Sequence, residues 1–486
     1  MAWALGGVLS LLLLAAATVL APVDRRDFTA LPCAAEARQA LAQARSVHLP
    51  WASQPVRVGV GRAPLTPTLG TATNAPERGE FVALPLAGYG DRQGRPAEGV
   101  ADPLWVKAVA FISAGQTGVV IAADSLIIPR EVAEDAARRV HAACGLDRAQ
   151  LYFGATHTHS GLGGWGEGLV AEAFAGGFQP GVRIWMAQQL ATAACAAVSD
   201  VRPARVAVTS FEAPEWVRNR LVGERGRVDT RFSLVAVERE GSTPVVMGAY
   251  AAHATVQSGS VMRFGGDYPG HWQRAVEQRR GGTAVFLAGA VGSHAPRPPK
   301  GGAEGAAAMG EALAARTLEA LAQARPAAAL EFGCLSVEIP LPPLQPRVAD
   351  DWKVRSWLSR HLLPVGDRTW IQGIRLGDAV WLSTPCDYSG ELALDLRERI
   401  RGRGAEAVVT SFNGDYLGYV VPSAYYGMNT YETRTMAFFG PQLPGYLGSV
   451  LDGVAETLTG PPRATEGAAQ GTTRDGGAFT NVVARR

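Results

Sequence analysis

Hydrophobic and polar positions follow two rhythms along most of the chain, and these predict strands and helices in alternation. From Arg57 onward, short β-type runs alternate with longer runs of helical periodicity, with no internal repeat and no long low-complexity linker. The runs 106–113 and 118–123 flank four turn-prone residues and predict a β-hairpin. Because hairpins pair antiparallel, we expect a mixed α/β (α+β) fold in which largely antiparallel and mixed sheets are layered with helices.

The same pattern sets the expected element boundaries. Helical periodicity predicts helices over 130–144, 183–198, 269–280, 303–323 and 389–403. Apolar runs predict further strands over 150–156, 204–210, 232–238, 244–251, 284–287, 369–375, 379–383 and 407–412. The Pro-rich stretch 340–351 is the only internal seam and is short, so we expect one large domain over 55–459. A linker with a short helix over 24–54 should precede it. From 460 to 486, Gly, Thr and Ala without apolar periodicity predict a disordered tail.

The first 23 residues are nearly all apolar, which is long enough for a membrane span of roughly 20 residues. Small residues at Ala15–Ala17 would suit cleavage of a signal peptide, but no Lys or Arg precedes the apolar run. We therefore favour an uncleaved anchor over 1–23 to a signal peptide or to a buried helix, which should carry more polar residues. Arg25 and Arg26 follow the segment, and the positive-inside tendency would keep them cytoplasmic.

Charge and cysteine content exclude several kinds of protein. Lys and Arg number 46 against 44 Asp and Glu, a net charge of +2 spread without a basic block, so the chain has no nucleic-acid footprint. Five cysteines without a CxxC pair argue against both a disulfide framework and a thiolate zinc site. Any bound metal would have to be held by His, Asp, Glu or Tyr.

The strongest local signal is a pair of histidines after the apolar strand 151–153. His157 and His159 are two apart, so in extended chain they project to one side, and two imidazoles together are typical of a metal site. Gly161 and its glycine neighbours remove side chains and would let a ligand or backbone approach closely. The alternative interpretation is one surface histidine and one core histidine bonded to the backbone.

Three further strand ends offer groups of the same kind. His253 follows the run 244–251, Asp387 follows 379–384, and Tyr419 lies beyond 407–412. Taken alone, His253 would be a structural histidine. Together the four strand ends offer His, His, Asp and Tyr at positions where mixed sheets commonly gather their sites.

Short motifs continue this series in a fixed order over roughly residues 55 to 455. The most specific is Ala155-Thr156-His157-Thr158-His159-Ser160-Gly161, and the rest count mainly by their order. They are Val58-Gly59-Val60-Gly61-Arg62 before Leu65-Thr66-Pro67, Leu86-Ala87-Gly88-Tyr89, Asn219-Arg220, His253-Ala254-Thr255, Gly266-Asp267-Tyr268-Pro269-Gly270, and Tyr416-Leu417-Gly418-Tyr419 with Tyr431-Glu432. In this order they resemble the catalytic domain of the neutral/alkaline, non-lysosomal ceramidase family.

The resemblance implies a zinc-dependent amidohydrolase that cleaves the amide of an N-acylsphingosine or a related N-acyl lipid. It implies one zinc ion per chain, with His157, His253 and Tyr419 as ligands and Asp387 where the family has Glu. A catalytic zinc lowers the pKa of its water toward about 7 and polarises a carbonyl, and amide hydrolysis needs both effects. The implied partners are a lipid or amide substrate and, through the N-terminal segment, a membrane. The expected location is membrane-anchored on the periplasmic or extracellular side, or secreted if the segment is cleaved.

The resemblance also implies roles around the metal. Tyr419 and Arg220 would stabilise the oxyanion or grip a substrate oxygen. His159 would exchange the proton between water and leaving amine, or only orient His157. Tyr431 would line the pocket near the amide or pack as an aromatic.

Two departures from the family pattern weaken this assignment. Asp387 is one methylene shorter than Glu, a shift of roughly 1.5 Å. The family's Gly-Asp-x-Ser-Pro reads Gly-Ser-His-Ala-Pro, so Ala295 replaces the active-site serine and closes a serine route. His294 then either adds a polar group that binds substrate or faces solvent. The alternatives are a serine hydrolase using Ser160 or Ser293, for which no GxSxG elbow is present, and a degenerate member that binds a lipid or partner.

Overall fold

The structure, a computed structural model, describes residues 17–45 and 52–460. Its centre is a large sheet. The strands in chain order are β1 Gln54–Pro64, β2 Trp105–Ser113, β3 Gln116–Ala123, β4 Leu151–Ala155, β5 Arg202–Glu212, β6 Arg231–Arg239, β7 Val245–Tyr250 and β8 Thr283–Ala288. They lie in the order β8-β7-β6-β5-β1-β2-β3-β4, with Ala329–Leu330 also pairing with β1. The pairs β7/β8 and β3/β4 are parallel and the others antiparallel, which confirms the predicted hairpin as β2–β3.

A smaller sheet lies against one face of the large one. Its strands, in spatial order, are β9 Phe332–Pro340, β10 Arg368–Leu376, β11 Ala379–Thr384 and β12 Glu406–Ser411, with β11 and β12 parallel. Short strands form five further small sheets: Leu20–Pro22 with Trp352–Val354, which also pairs with Arg347–Ala349; Val217–Asn219 with His294–Pro296; Gly99–Val100 with Arg263–Phe264; Asp387–Tyr388 with Tyr419–Val420; and Thr68–Leu69 with Glu80–Phe81.

Helices cover the outer faces of both sheets. They are α1 Pro32–Arg45, α2 Arg130–Cys144, α3 Leu169–Ala175, α4 Pro180–Ser199, α5 Asp267–Arg280, α6 Gly302–Gln323, α7 Ser356–Leu362, α8 Gly390–Arg401 and α9 Leu443–Thr459. In α2 the buried side chains Val132, Ala136 and Val140 recur every four residues and form one face. The helix ends at Gly145, whose φ of 72° suits glycine. The predicted bounds of α2 are confirmed.

Alternation along each strand divides the core into layers. In β2, Val109 and Phe111 pack into the core shared with the small sheet, whereas Ala108 and Ala110 face the helices on the other side. Glycine in β1 permits the closest of these helix contacts, because a Cβ at Gly59 would lie only 1.9 Å from a carbonyl oxygen of α4. The fold is therefore a mixed α/β layered domain, as expected.

The two edge strands of the large sheet approach each other beneath the small sheet. A Cβ at Gly154 of β4 would lie 2.3 Å from the Leu287 side chain of β8. The Gln372 side chain of β10 occupies the free backbone edge of β4, accepting from Phe153 N at 2.9 Å and donating to Leu151 O at 2.8 Å. The carboxyl ends of β4, β7, β11 and β12 consequently converge.

Three expectations concern the cysteines and the termini. The five cysteines are not all unpaired, which corrects the sequence interpretation, because Cys144 at the end of α2 is disulfide-bonded to Cys195 of α4. Cys144 and Cys195 lie far apart in the sequence, and the packing of α2 on α4 brings them together.

Most of the predicted anchor (residues 1–16) and the predicted tail after Gly460 lie outside the described residues. Over 17–45 and 52–460, no helix is both long and apolar enough to cross a bilayer.

Candidate metal centre

His157 follows β4 in an unusual backbone conformation. Its φ is 61°, in the left-handed region that non-glycine residues rarely occupy. Two contacts hold it there: Nδ1 donates to Leu126 O at 2.7 Å, and the imidazole stacks on the Phe412 ring with centroids 4.1 Å apart. Phe412 itself has φ of 67°. Because Nδ1 carries the proton, the lone pair of Nε2 points into the site.

Three imidazoles meet at this point. His253 at the end of β7 is fully buried, and its Nε2 lies 2.8 Å from His157 Nε2 and 3.1 Å from His159 Nε2. His159 Nε2 is 3.4 Å from His157 Nε2. Burial lowers the pKa of His157 to about 3 and the pKa values of His159 and His253 below their usual range, helped by Arg220 and by each other. The rings are therefore neutral, as metal ligands must be.

Asp387 brings a carboxylate to the same place. Its Oδ1 lies 3.5 Å from His157 Nε2, is buried, and has no hydrogen-bond partner among the described residues. Its Oδ2 accepts from the Tyr416 hydroxyl at 2.8 Å. Burial raises the pKa of Asp387 to about 7, although Tyr416 and Arg220 oppose that shift. A buried carboxylate oxygen without a hydrogen-bond partner beside three imidazole lone pairs is a set of donors that suits a cation.

These donors fit a zinc ion. Tetrahedral zinc with Zn–N bonds of about 2.05 Å separates its ligand nitrogens by roughly 3.3 Å, close to the spacing of the three Nε2 atoms. The described histidines that gather in this way are His157, His159 and His253. Asp387 adds a carboxylate to the three imidazoles, giving four donors. Its short strand pairs with the strand of Tyr419, which places this remaining predicted ligand next to Asp387.

Tyr419 is held by an arginine. Arg220 Nη2 donates to the Tyr419 hydroxyl at 2.9 Å, and Arg220 Nε lies 3.0 Å from a Glu432 carboxylate oxygen. Burial and Asp387 raise the pKa of Tyr419, against the effect of Arg220. The ring of Tyr431 packs edge-on against Tyr419 at 5.6 Å and is half exposed, and we take Tyr431 as the opening of the site.

The peptide that carries His159 is fixed by a buried arginine that the sequence reasoning did not single out. Arg92 Nη1 donates to the carbonyl oxygens of His159 at 2.6 Å and Ala87 at 3.0 Å. Its other nitrogens donate to Gly259 O and Val261 O. Tyr416 was also missed as a site residue, although it lies in the quoted Tyr-Leu-Gly-Tyr motif. The signal was present, but only the fold shows that its hydroxyl meets Asp387.

Comparison with known proteins identifies the fold. A neutral ceramidase of Mycobacterium tuberculosis (strain H37Rv) is 27% identical over 233 residues, which are 43% of this chain and 36% of that relative. No protein-family model matches. The crystal structure of neutral ceramidase from Pseudomonas aeruginosa superposes with a TM-score of 0.71 at 17% identity, covering 86% of this chain and 77% of that one. The fold is that of a neutral ceramidase. A second solved structure, of ceramidase complexed with C2, superposes with a TM-score of 0.69 at 17% identity, covering 86% of this chain and 77% of that one.

The resemblance inferred from the motifs is therefore confirmed. The structure also shows the environment of His294, which lies in the segment where the sequence departs from the family pattern. His294 is not a solvent-facing loop residue, which corrects that alternative. Its ring is fully buried, Nε2 accepts from Asp229 N at 2.8 Å, and Nδ1 lies 2.8 Å from Ser293 Oγ. Both nitrogens are engaged within the protein, so these contacts leave His294 no free nitrogen for the predicted role in substrate binding.

The same contacts weigh against a serine hydrolase. A backbone N–H can only donate, so His294 Nε2 must be unprotonated and Nδ1 must carry the hydrogen. His294 then donates to Ser293 and has no lone pair with which to activate that hydroxyl. Ser160 is buried, and its backbone N–H bonds to Thr158.

Of the two close approaches expected at Gly161, a ligand or backbone, the structure shows that of backbone. A Cβ there would lie 3.1 Å from Ser125 Cα, and the Gly161 carbonyl accepts from Ala87 N at 3.1 Å. The close approach that this glycine allows is therefore made by the chain's own backbone.

Proposed function

We propose that this chain is a zinc-dependent hydrolase that cleaves the amide of an N-acylsphingosine or a related N-acyl lipid. The observation that carries the proposal is the convergence of three neutral imidazoles and an unpartnered carboxylate in a neutral ceramidase fold. The aligned segment covers about a third of the curated relative, so the activity is a proposal rather than a transferred property.

His157, His253 and Asp387 would hold the ion together with Tyr419 or His159. When bound, zinc supplies a Lewis acid for a carbonyl and a water of lowered pKa. The chain prepares for it by fixing each donor: Leu126 sets the tautomer of His157, and Tyr416 orients Asp387. The shorter Asp387 still reaches His157, so the lost methylene does not exclude coordination.

Tyr419 and Arg220 supply oxyanion stabilisation. Arg220 donates to the oxygen of the Tyr419 hydroxyl, so the hydroxyl hydrogen can donate to Asp387 or to a substrate carbonyl oxygen. The arginine pKa is held high by Tyr419, Glu432 and Asp387 against the opposing effect of burial, so the guanidinium stays charged. A fixed positive charge stabilises negative charge that develops on the amide oxygen.

His159 fits the proton transfers. Its neutral imidazole accepts a proton from the attacking water and returns it to the leaving amine. Arg92 fixes the His159 peptide, which limits how far the ring moves between these two positions. If His159 is instead a permanent ligand, it does not serve in these proton transfers, and the metal content of a His159 variant separates the two assignments.

The proposed location is the exported side of a membrane, through the N-terminal apolar segment, or the medium if that segment is cleaved. The Cys144–Cys195 disulfide supports it, because such bonds persist in oxidising compartments. Arg25 and Arg26 favour the opposite orientation. A reporter active only outside the cytoplasm, fused after Gly460, tests the location directly.

The test of the proposed function uses the full chain purified in detergent. Metal analysis should find about one zinc per chain, and fatty acid should be released from N-acylsphingosine faster than from a simple N-acyl amide. His157→Ala should lose both zinc and turnover. The matched control is His141→Ala, because His141 is an exposed imidazole on α2 remote from the cluster.

Two results would redirect the proposal. A chain without stoichiometric zinc contradicts it. Zinc without turnover on any N-acyl lipid would indicate the alternative, a ceramidase-like protein that has lost catalysis with the change to Ala295 and binds a lipid or partner.

A further inference from the structure

Large apolar side chains are exposed along one stretch of the surface, 348–362. Val348, Trp352, Trp357 and Leu362 are exposed to 52%, 49%, 55% and 47%. They lie on the hairpin Arg347–Ala349/Trp352–Val354 and on α7. We refer to these four residues as the Trp352 surface. Two half-exposed tryptophans and a leucine in a single stretch are typical of a surface that meets a partner rather than bulk water.

The N-terminal segment leaves the domain at the Trp352 surface. The strand Leu20–Pro22 pairs with Trp352–Val354 in register, so that Leu20 faces Val354. Arg355 N donates to Val19 O at 2.8 Å, and Trp357 Nε1 donates to Thr18 O at 3.3 Å. The apolar residues 1–16 directly precede Ala17 in the sequence, and the described chain begins beside Arg355 and Trp357.

Basic residues surround the apolar ones. Apart from the buried Arg347, six cations and three carboxylates occupy the strand pair, α7 and the segments packed on them; they are Arg25, Arg26, Lys353, Arg355, Arg360 and Arg434, with Asp24, Asp350 and Asp351. The carboxylates pair with Arg25, Arg26 and Arg434, so Lys353, Arg355 and Arg360 supply the excess positive charge. Tryptophan and leucine beside excess basic charge suit the headgroup region of an anionic bilayer.

The same hairpin is tied to the opening of the candidate metal centre. Arg347 Nη2 donates to Thr433 O at 2.7 Å and Met428 O at 3.2 Å, and Arg434 pairs with Asp350. Thr433 and Arg434 belong to the one-turn π-helix Tyr431–Thr435, which begins with the half-exposed Tyr431. A surface that met a bilayer here would bring the opening of the site close to it.

We propose that the Trp352 surface is a membrane-docking surface that rests on anionic phospholipid, with Trp352 and Trp357 in the interface. The docking stands on the exposed residues and the N-terminal exit point. Its purpose, delivery of a lipid substrate from the bilayer to the opening at Tyr431, rests on the proposed function. Residues 1–16 would hold the chain at the membrane, and the Trp352 surface would set its orientation.

The experiment places the full chain in phosphatidylcholine vesicles containing one quarter phosphatidylglycerol, some with acyl chains brominated near the headgroup. Bromine quenches tryptophan emission only at close range, so quenching reports which indoles reach the lipid. A Trp3→Phe background removes the indole of the N-terminal run. Trp352→Phe with Trp357→Phe should then remove at least half of the quenchable emission. The matched control Trp216→Phe, on the segment Pro214–Trp216, should leave it unchanged.

Quenching that is the same with and without Trp352 and Trp357 would overturn the proposal. So would sedimentation showing that the chain dimerises through this surface, with Trp352→Glu restoring the monomer, because a second copy would then be the occupant. Thermal melting of each variant confirms folding.

A separate measurement addresses the substrate route. Trp352→Ser with Trp357→Ser should lower the turnover of a vesicle-embedded N-acyl lipid at least fivefold. The turnover of the same lipid dispersed in detergent should stay unchanged. If no lipid is hydrolysed in either form, the proposed function fails while the quenching result still stands. If the variant turns over both forms like the wild type, the delivery role is wrong.

Discussion

The hydroxyl of Tyr416 offers a sharp test of how Asp387 is prepared for a metal. Tyr416→Phe removes one hydrogen bond, the 2.8 Å donation to Asp387 Oδ2, and keeps the ring that packs near Phe412 and Phe174. A hydrogen bond to a charged group contributes about 2 kcal/mol. At about 1.4 kcal/mol per factor of ten, we expect zinc to bind roughly 30-fold more weakly, within the range usual for residues that orient a metal ligand.

The direction of the pH dependence follows from the same contact. The Tyr416 hydrogen bond lowers the pKa of Asp387, which burial raises to about 7. Without the hydroxyl that pKa rises further, so at pH 7 protons compete more strongly with zinc for the carboxylate. The loss of affinity should therefore be largest near neutral pH and shrink at about pH 9, where the carboxylate is again ionised.

The assay is competition of the purified chain with a chromophoric chelator at pH 7 and pH 9. The control is Tyr426→Phe, which removes a buried hydroxyl that has no hydrogen-bond partner among the described residues. That variant should bind zinc like the wild type. If Tyr416→Phe also binds within about twofold of the wild type at pH 7, Asp387 is not a ligand oriented by Tyr416, and the reasoning fails.

Three further predictions concern catalysis and stability. Arg220→Met should keep its zinc and lose about 10²- to 10³-fold in kcat, as for loss of an oxyanion donor; zinc loss with unchanged turnover per bound zinc would contradict this. His294 has its pKa lowered to about 4 by burial, so the stability it contributes is present above about pH 6.5 and lost as pH falls toward 4. Between these pH values, the free energy of unfolding of His294→Gln, measured with denaturant, should fall by about 3 kcal/mol less than that of the wild type. Parallel pH dependences of the two free energies would refute this. Cys144→Ser with Cys195→Ser removes a disulfide that spans 51 residues and should lower the free energy of unfolding by about 4 kcal/mol. Adding a reductant should destabilise the wild type but not this variant.

The sequence contained enough to predict two residues of the candidate metal centre. His157 and His253 each follow an apolar strand, and the strands are confirmed. The expectation that His157 and His159 project together is also confirmed, but for another reason. It assumed extended backbone, whereas His157 turns into the left-handed region and both Nε2 atoms still meet. A strand-period argument cannot anticipate that turn, which the stacked Phe412 stabilises.

Long-range pairing explains most of what was missed. The adjacency of Asp387 and Tyr419 depends on two short strands that pair across more than thirty residues. Helix α9 was missed because Gly445, Gly448 and Gly453 lower its local helical propensity, and packing on α1 overrides that preference. Strand β9, which was also missed, alternates between buried and part-exposed positions, and this period-two pattern is typical of a strand.

The division of the metal centre between two sheets has a consequence for assembly. His157 and His253 come from the large sheet, whereas Asp387 and Tyr419 come from segments that follow strands of the small one. An ion shared by them would act as a clasp between the two sheets and stabilise only the chain in which both are docked. During synthesis the imidazole donors emerge first, and the centre is complete only after residue 419 has been added. Zinc retention by a variant would therefore report whether the last third of the chain has folded onto the preceding two thirds.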